Sequence, residues 1–216
     1  MVEVDTVHGP DHDVTRPLVL RRLLSRIHRG HFDCAALGIP CTSLTVARDR
    51  KCQIRSVLEP WGLSDRSRFD ERDAFALENG NRILCATLKI INALLRKKVS
   101  FVIENPWTSR LWHLPEFETL LQRFDTVFAR CDFCAFGARW RKPTCILGFR
   151  VKEKLFYGQI AHTCSNRSRI CDYRKCEHII ISGTMNGKNI SKIAEPYPRR
   201  LALALATVLS GSCTGR

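Results

Sequence analysis

Two side chains in this sequence stand where reactive groups are useful. Cys41 follows Pro40 at the end of the apolar run "FDCAALGIPC" (32–41), and Glu104 closes the apolar run "VSFVIE" (99–104), with Asn105 and Pro106 behind it. A thiol is a strong nucleophile only as thiolate, and a loop beside a helix start or a cationic neighbour lowers its pKa. Pro40 fixes the backbone just ahead of that thiol. A carboxyl at the end of a buried strand is pushed toward protonation by loss of water, which suits it to donate to a ring nitrogen. Together the pair describes attack on an electron-poor ring carbon while a neighbouring nitrogen is protonated. Each residue also has a plain structural reading: Cys41 as a turn cysteine without a task, Glu104 as a helix cap or as an ion-pair partner of Arg110.

The elements that must position this pair are visible as periodicities. In "RPLVLRRLLSRIHRG", Leu20, Leu23, Leu24 and Ile27 fall at helical spacing and Gly30 supplies a stop; in "NRILCATLKIINALLRKK", Leu84, Leu88, Ile91 and Leu95 make one apolar face and Arg96, Lys97 and Lys98 stand at the dipole-favoured end. Each helix runs straight into an apolar strand. Two such units predict an α/β sheet, mostly parallel, with helices covering it. Ligands of such sheets bind in the crevice outside the carboxyl ends of the strands, and Cys41 and Glu104 both lie near such ends. Farther on, Val2–Asp5 reads as a short strand and residues 115–124 as a short helix. "TVFARC" and "PTCILGF" read as strands joined by the link "FGARWRK", and "YPRRLALALATVLS" as a helix started by Pro198. Three parts are expected: a core over 1–149, a small irregular Cys-rich basic region over 150–192, and a helix over 193–216 returning to the core.

The chain has 35 basic and 21 acidic residues, a net charge of +14. Such a field collects phosphate before any specific contact forms, so nucleic acid, DNA first, is the expected partner. Eleven cysteines with no apolar leader argue against a secreted disulfide framework, and no segment is long and apolar enough to span a bilayer. The chain therefore reads as intracellular, with reduced thiols that serve as core packing, metal ligands or nucleophiles.

The segment "FDCAALGIPCTSLTVAR" resembles the Pro-Cys motif of the DNA cytosine-C5 methyltransferases, and "FVIENP" resembles their Glu-Asn-Val/Pro motif, in the same order. "FGARWRKPTCILG" looks like the family's Gln-x-Arg-x-Arg segment, with Trp140 and Thr144 in place of the glutamine and the last arginine. "AEPYPRRLALALA" looks like its closing Gly-Asn-x-x-Pro segment, with Ala194-Glu195 for Gly-Asn. The resemblance implies a Rossmann-like methyltransferase sheet. It further implies that Cys41 attacks C6 of a flipped cytosine, that Glu104 bonds N3, and that C5 takes a methyl group from S-adenosylmethionine. Asn105, Arg141 and Lys142 would hold the substrate; Asp5, Asp13 and Pro40 would lie against the cofactor. The family's Phe-x-Gly-x-Gly cofactor loop has no counterpart before residue 30. The expectation is a fold incomplete at its N-terminus, whose cofactor loop comes from a second chain, or from a longer protein of which this sequence is a fragment, if the protein methylates. The alternative is a non-catalytic nucleic-acid-binding module, such as a degenerate domain of a mobile element.

Zinc is a further candidate. Cys131-x-x-Cys134 followed by Cys164, Cys171, Cys176 and His178 contains enough soft ligands for a tetrahedral site, although only one pair has a familiar spacing. Scattered reduced cysteines are the preferred reading, and a zinc-stabilised nucleic-acid binder is the reading that zinc would favour.

Overall fold

The computed structural model describes residues 2–213. Its centre is a four-stranded sheet of β1 (Cys34–Gly38), β2 (Ser100–Pro106), β3 (Thr126–Asp132) and β4 (Pro143–Phe149), in the order β1-β2-β4-β3. β1 and β2 are parallel, while β4 runs antiparallel to both β2 and β3. The sheet is thus α/β and mixed, with one parallel pair rather than mostly parallel pairing. The reason lies in the connections. β1 and β2 are joined through a long helix, which permits a parallel crossover, whereas β3 and β4 are joined by only ten residues, which permits only a hairpin.

The helices are α1 (Pro17–His28), α2 (Glu71–Arg96), α3 (Pro115–Leu121), α4 (Glu153–Ile160), α5 (Ile190–Ile193) and α6 (Arg199–Cys213). α2 begins well before the periodic run that announced it, because the Asp70 side chain accepts from Asp73 N at 2.7 Å and caps the first turn. Alternation along β2 sends Phe101 and Ile103 to one face of the sheet and Val102 to the other. On the first face they join Leu84, Ile91 and Leu94 of α2, Phe117 of α3 and Leu147 and Phe149 of β4. On the second, Val102 and Ile146 meet Phe156 and Ile160 of α4 and Leu201, Leu205 and Val208 of α6. Helices therefore cover both faces, a three-layer arrangement built on one sheet.

Two local expectations change. Val2–Asp5 is not a strand; it leads into a 3-10 turn that Asp5 caps by accepting from Val7 N. Within residues 150–192, the eight residues of α4 form a regular helix that packs on the sheet through Phe156 and Ile160. The rest of that region is irregular, apart from a 3-10 turn at Arg167–Arg169, an isolated bridge between Ile170 and Glu177, a short hairpin of β5 (Thr184–Met185) with β6 (Lys188–Asn189) and the single turn of α5.

Candidate functional site

β1 and β2 end side by side. Their parallel register pairs Gly38 with Glu104, so the loop that carries Cys41 leaves β1 beside the Glu104 position. By alternation Glu104 lies on the Val102 face, under the start of α6, and Asn105 lies on the opposite face. Asn105 is fully buried and its Nδ2 donates to Ile39 O at 2.7 Å, tying the last residues of β2 to the loop just before Pro40. Pro40 is exposed and Cys41 half-buried. The Cys41 carbonyl accepts from both Leu44 N and Thr45 N at 2.9 Å, closing the loop into a tight turn immediately behind the thiol.

That turn is held from below by Arg55, which is buried although, among the described residues, no carboxylate pairs with it. Its guanidinium donates to Ser43 O at 3.0 Å, Pro60 O at 2.7 Å, Ser43 Oγ at 3.3 Å and Asn81 Oδ1 at 2.8 Å. Burial pulls its pKa down to about 10, so it stays charged at neutral pH. Gly80 of α2 allows this approach: a Cβ there would stand 2.2 Å from Ser43 Oγ.

Glu104 is buried, and desolvation raises its carboxyl pKa above the usual value, opposed by the charge of Lys142 and by a hydrogen bond from Tyr197. The Tyr197 hydroxyl donates to Glu104 Oε2 at 3.0 Å, while Oε1 is buried without a partner. An acid in this state can donate to a ligand nitrogen. The Cys41 thiol is also raised, first by burial; Lys142 lowers it and the charge of Glu104 raises it again. The pKa-lowering neighbour expected from the sequence is therefore present as Lys142, but burial outweighs it. Lys142 packs its ammonium 4.6 Å above the Phe133 ring and reaches both reactive groups from the end of the β3–β4 link.

Other sequence-predicted residues lie elsewhere. Arg110 pairs with Asp49 at 2.7 Å, so it is not the partner of Glu104. Arg141 turns toward the buried Asp132, with Nε 3.3 Å from Oδ2. Asp13 accepts from Thr15 N and Thr15 Oγ1, both at 2.8 Å, and Asp5 caps its own turn. Both carboxylates thus serve as local caps. Tyr197, Gly38 and Arg55 were not singled out by sequence reasoning. A tyrosine just ahead of a helix that returns to the core was the available signal for the first.

The cysteine-rich region resolves into one cluster. The ligand atoms of Cys134, Cys164, Cys171 and His178 all lie within 4.8 Å of one another, a group that can hold a metal ion. Cys131 is excluded because it packs in the core with Ile146 and Leu201, and Cys176 because it is exposed and outside the group. These four residues are thus gathered in space rather than scattered. Tertiary contact brings a residue of the β3–β4 link against three from beyond α4, which no short spacing could announce. Among the described residues, no helix is long and apolar enough to cross a membrane. No family model, curated protein or solved structure matches the chain.

Proposed function

We propose that this protein engages cytosine in DNA at the Cys41–Glu104 crevice, with Cys41 as the nucleophile toward C6 and Glu104 as the acid at N3. The observation that carries the reading is the pairing of Gly38 with Glu104. It brings a protonation-prone carboxyl and the thiol-bearing turn to adjacent strand ends, with Lys142 acting on both.

Once the Cys41 proton has left to solvent, the Sγ–C6 bond forms and the C5–C6 electron pair shifts toward C5 and N3. Glu104 gives its proton to N3, leaving an enamine whose C5 is nucleophilic. C5 then takes a proton from solvent. In the reverse direction C5 gives a proton back to solvent, the Sγ–C6 bond breaks as the C5–C6 double bond re-forms, and N3 returns its proton to Glu104. The base must leave the stack for this, since C6 is closed to a thiol inside a duplex. The order β1-β2-β4-β3 with helices on both faces supports a Rossmann-like methyltransferase sheet as the scaffold.

S-adenosylmethionine is the methyl donor of the family that the sequence resembles. Of the residues assigned to it, Asp5 and Asp13 each hold a local turn, with Oδ1 accepting from Val7 N and from Thr15 N and Oγ1 respectively, and Pro40 is exposed. The proposal for this chain therefore stops at reversible addition to the ring. A second reading, a nucleic-acid-binding module without turnover, is favoured by the raised Cys41 thiol.

The experiment follows hydrogen exchange at C5 of cytosine in a DNA oligonucleotide dissolved in D2O, with an RNA oligonucleotide in parallel. Addition to C6 makes C5 take a solvent deuteron and needs no methyl donor. Deuterium at C5 that depends on Cys41 supports the addition chemistry. Tight binding without exchange leaves the binding module.

A further inference from the structure

The Cys134 cluster stands apart from the base chemistry and carries an inference of its own. Cys134 comes from the 3-10 turn Phe133–Phe136 that follows β3, while Cys164, Cys171 and His178 come from the irregular segment after α4. A tetrahedral zinc ion with Zn–S bonds of about 2.3 Å sets its ligand atoms roughly 3.5–3.8 Å apart. Cys164 Sγ and His178 Nε2 are 3.8 Å apart.

The surroundings are those of a ligand set. The three thiols form a small buried cluster of their own, with no other buried apolar side chain in it. His178 Nδ1 lies 2.8 Å from Asn166 Oδ1. An amide oxygen only accepts, so the ring proton sits on Nδ1 and the Nε2 lone pair faces the sulfurs, the orientation that metal-bound histidines take. Asp172 N donates to Cys164 Sγ at 3.4 Å, a bond that supports negative charge on sulfur. Four protein ligands fill a tetrahedron, which describes a closed structural site rather than a catalytic one.

We propose that Cys134, Cys164, Cys171 and His178 bind one zinc ion in a closed Cys3His site that pins residues 161–179 onto the end of β3. The pinned segment reaches back at three points. Cys164 N donates to Asp132 Oδ2 at 2.7 Å, Asp132 N donates to His162 O at 2.9 Å, and Ile179 N donates to Arg139 O at 2.9 Å. Phe133, next to Cys134, donates its N–H to Lys142 O and supports the Lys142 ammonium on its ring. The metal thereby fixes the Arg139–Lys142 link. Zinc binding does not rest on the cytosine reading; only the value of fixing Lys142 does.

Elemental analysis of the full chain, purified under reducing conditions without chelator, is expected to give one zinc per chain. The cobalt-substituted protein should show thiolate-to-cobalt charge transfer and strong tetrahedral d–d absorption. Cys164→Ser and His178→Ala should lose the metal, and Cys176→Ser should keep it. Because a ligand variant can lose metal by failing to fold, His178→Cys is the companion: it retains zinc and adds cobalt–thiolate absorption. Chelation of the wild-type protein should raise backbone hydrogen exchange over residues 133–142 and 161–179 while α1 and α2 remain protected. Metal content far below one equivalent after refolding with added zinc, or equal metal loss from Cys176→Ser and Cys164→Ser, overturns the proposal. These readouts stand whatever the outcome of C5 exchange.

Discussion

The Tyr197 hydroxyl donates to Glu104 Oε2 across 3.0 Å and occupies the space that a side chain on Gly38 would need, since a Cβ there would lie 2.7 Å from Tyr197 Oη. A residue at the N-terminal approach to α6 thus acts, beside burial and Lys142, on the protonation of a residue on β2, through a gap left by β1. Tyr197 holds the Glu104 pKa down against burial. Tyr197→Phe is expected to let that pKa rise further, so the alkaline limb of the C5-exchange profile, which requires protonated Glu104, moves to higher pH. Gly38→Ala should displace the hydroxyl and move the limb the same way, at a cost of about 1–3 kcal/mol for overpacking. A pH profile identical to wild type in both variants would falsify this role for Tyr197.

Glu104→Gln should slow C5 exchange by about 10²–10⁴-fold, the usual worth of a positioned general acid. Stability should move the other way. The folded pKa of Glu104 lies above its ordinary value of 4.5, so folding is most favoured below that value, where the carboxyl is protonated in both states. That advantage is lost as pH rises through the folded pKa. Glutamine carries no charge to desolvate, so the variant should melt higher than wild type at neutral pH, with the gap closing in acid. Thermal melts across pH check this, and a gap that widens in acid rejects it.

Cys41→Ser should bring C5 exchange to background, because a hydroxyl at its ordinary pKa is a far weaker nucleophile than a thiolate. The backbone turn behind it uses only the Cys41 carbonyl, so stability should change by less than about 1 kcal/mol. On DNA carrying 5-fluorocytosine with S-adenosylmethionine, a stable covalent adduct is expected only where methyl transfer to C5 takes place. Denaturing electrophoresis of labelled DNA reads that outcome, and Cys41→Ser must abolish any adduct seen.

Lys142→Gln removes a cation that lowers both reactive groups, so the Cys41 and Glu104 pKa values should both rise. Both limbs of the exchange profile then shift to higher pH. DNA affinity should fall with little dependence on sequence, and the slope of log K against log salt should flatten by about 1. Arg141 already faces Asp132. Arg141→Gln should change the slope less, and equal changes in the two variants would count against this division of roles.

The sequence by itself determined the secondary elements that periodicity writes locally: α1, α2 and α6, the strands on either side of the short link, and the approach of Cys41 and Glu104 to strand ends. It could place those residues because a buried strand followed by a polar turn is a short-range pattern. It missed α4, whose few apolar positions lie in a strongly charged stretch, and it overstated parallel pairing where a ten-residue link allows only a hairpin. Only the tertiary structure decided which groups share a site. The Gly38–Glu104 register, the Tyr197 hydroxyl reaching across 93 residues, and Lys142 over Phe133 all depend on how sheet and helices dock. The same docking selected Cys134, Cys164, Cys171 and His178 from among the cysteines and left Cys131 and Cys176 aside. Ligand geometry is a matter of distances in space, and side chains 44 positions apart in the chain carry no local signal that they will meet.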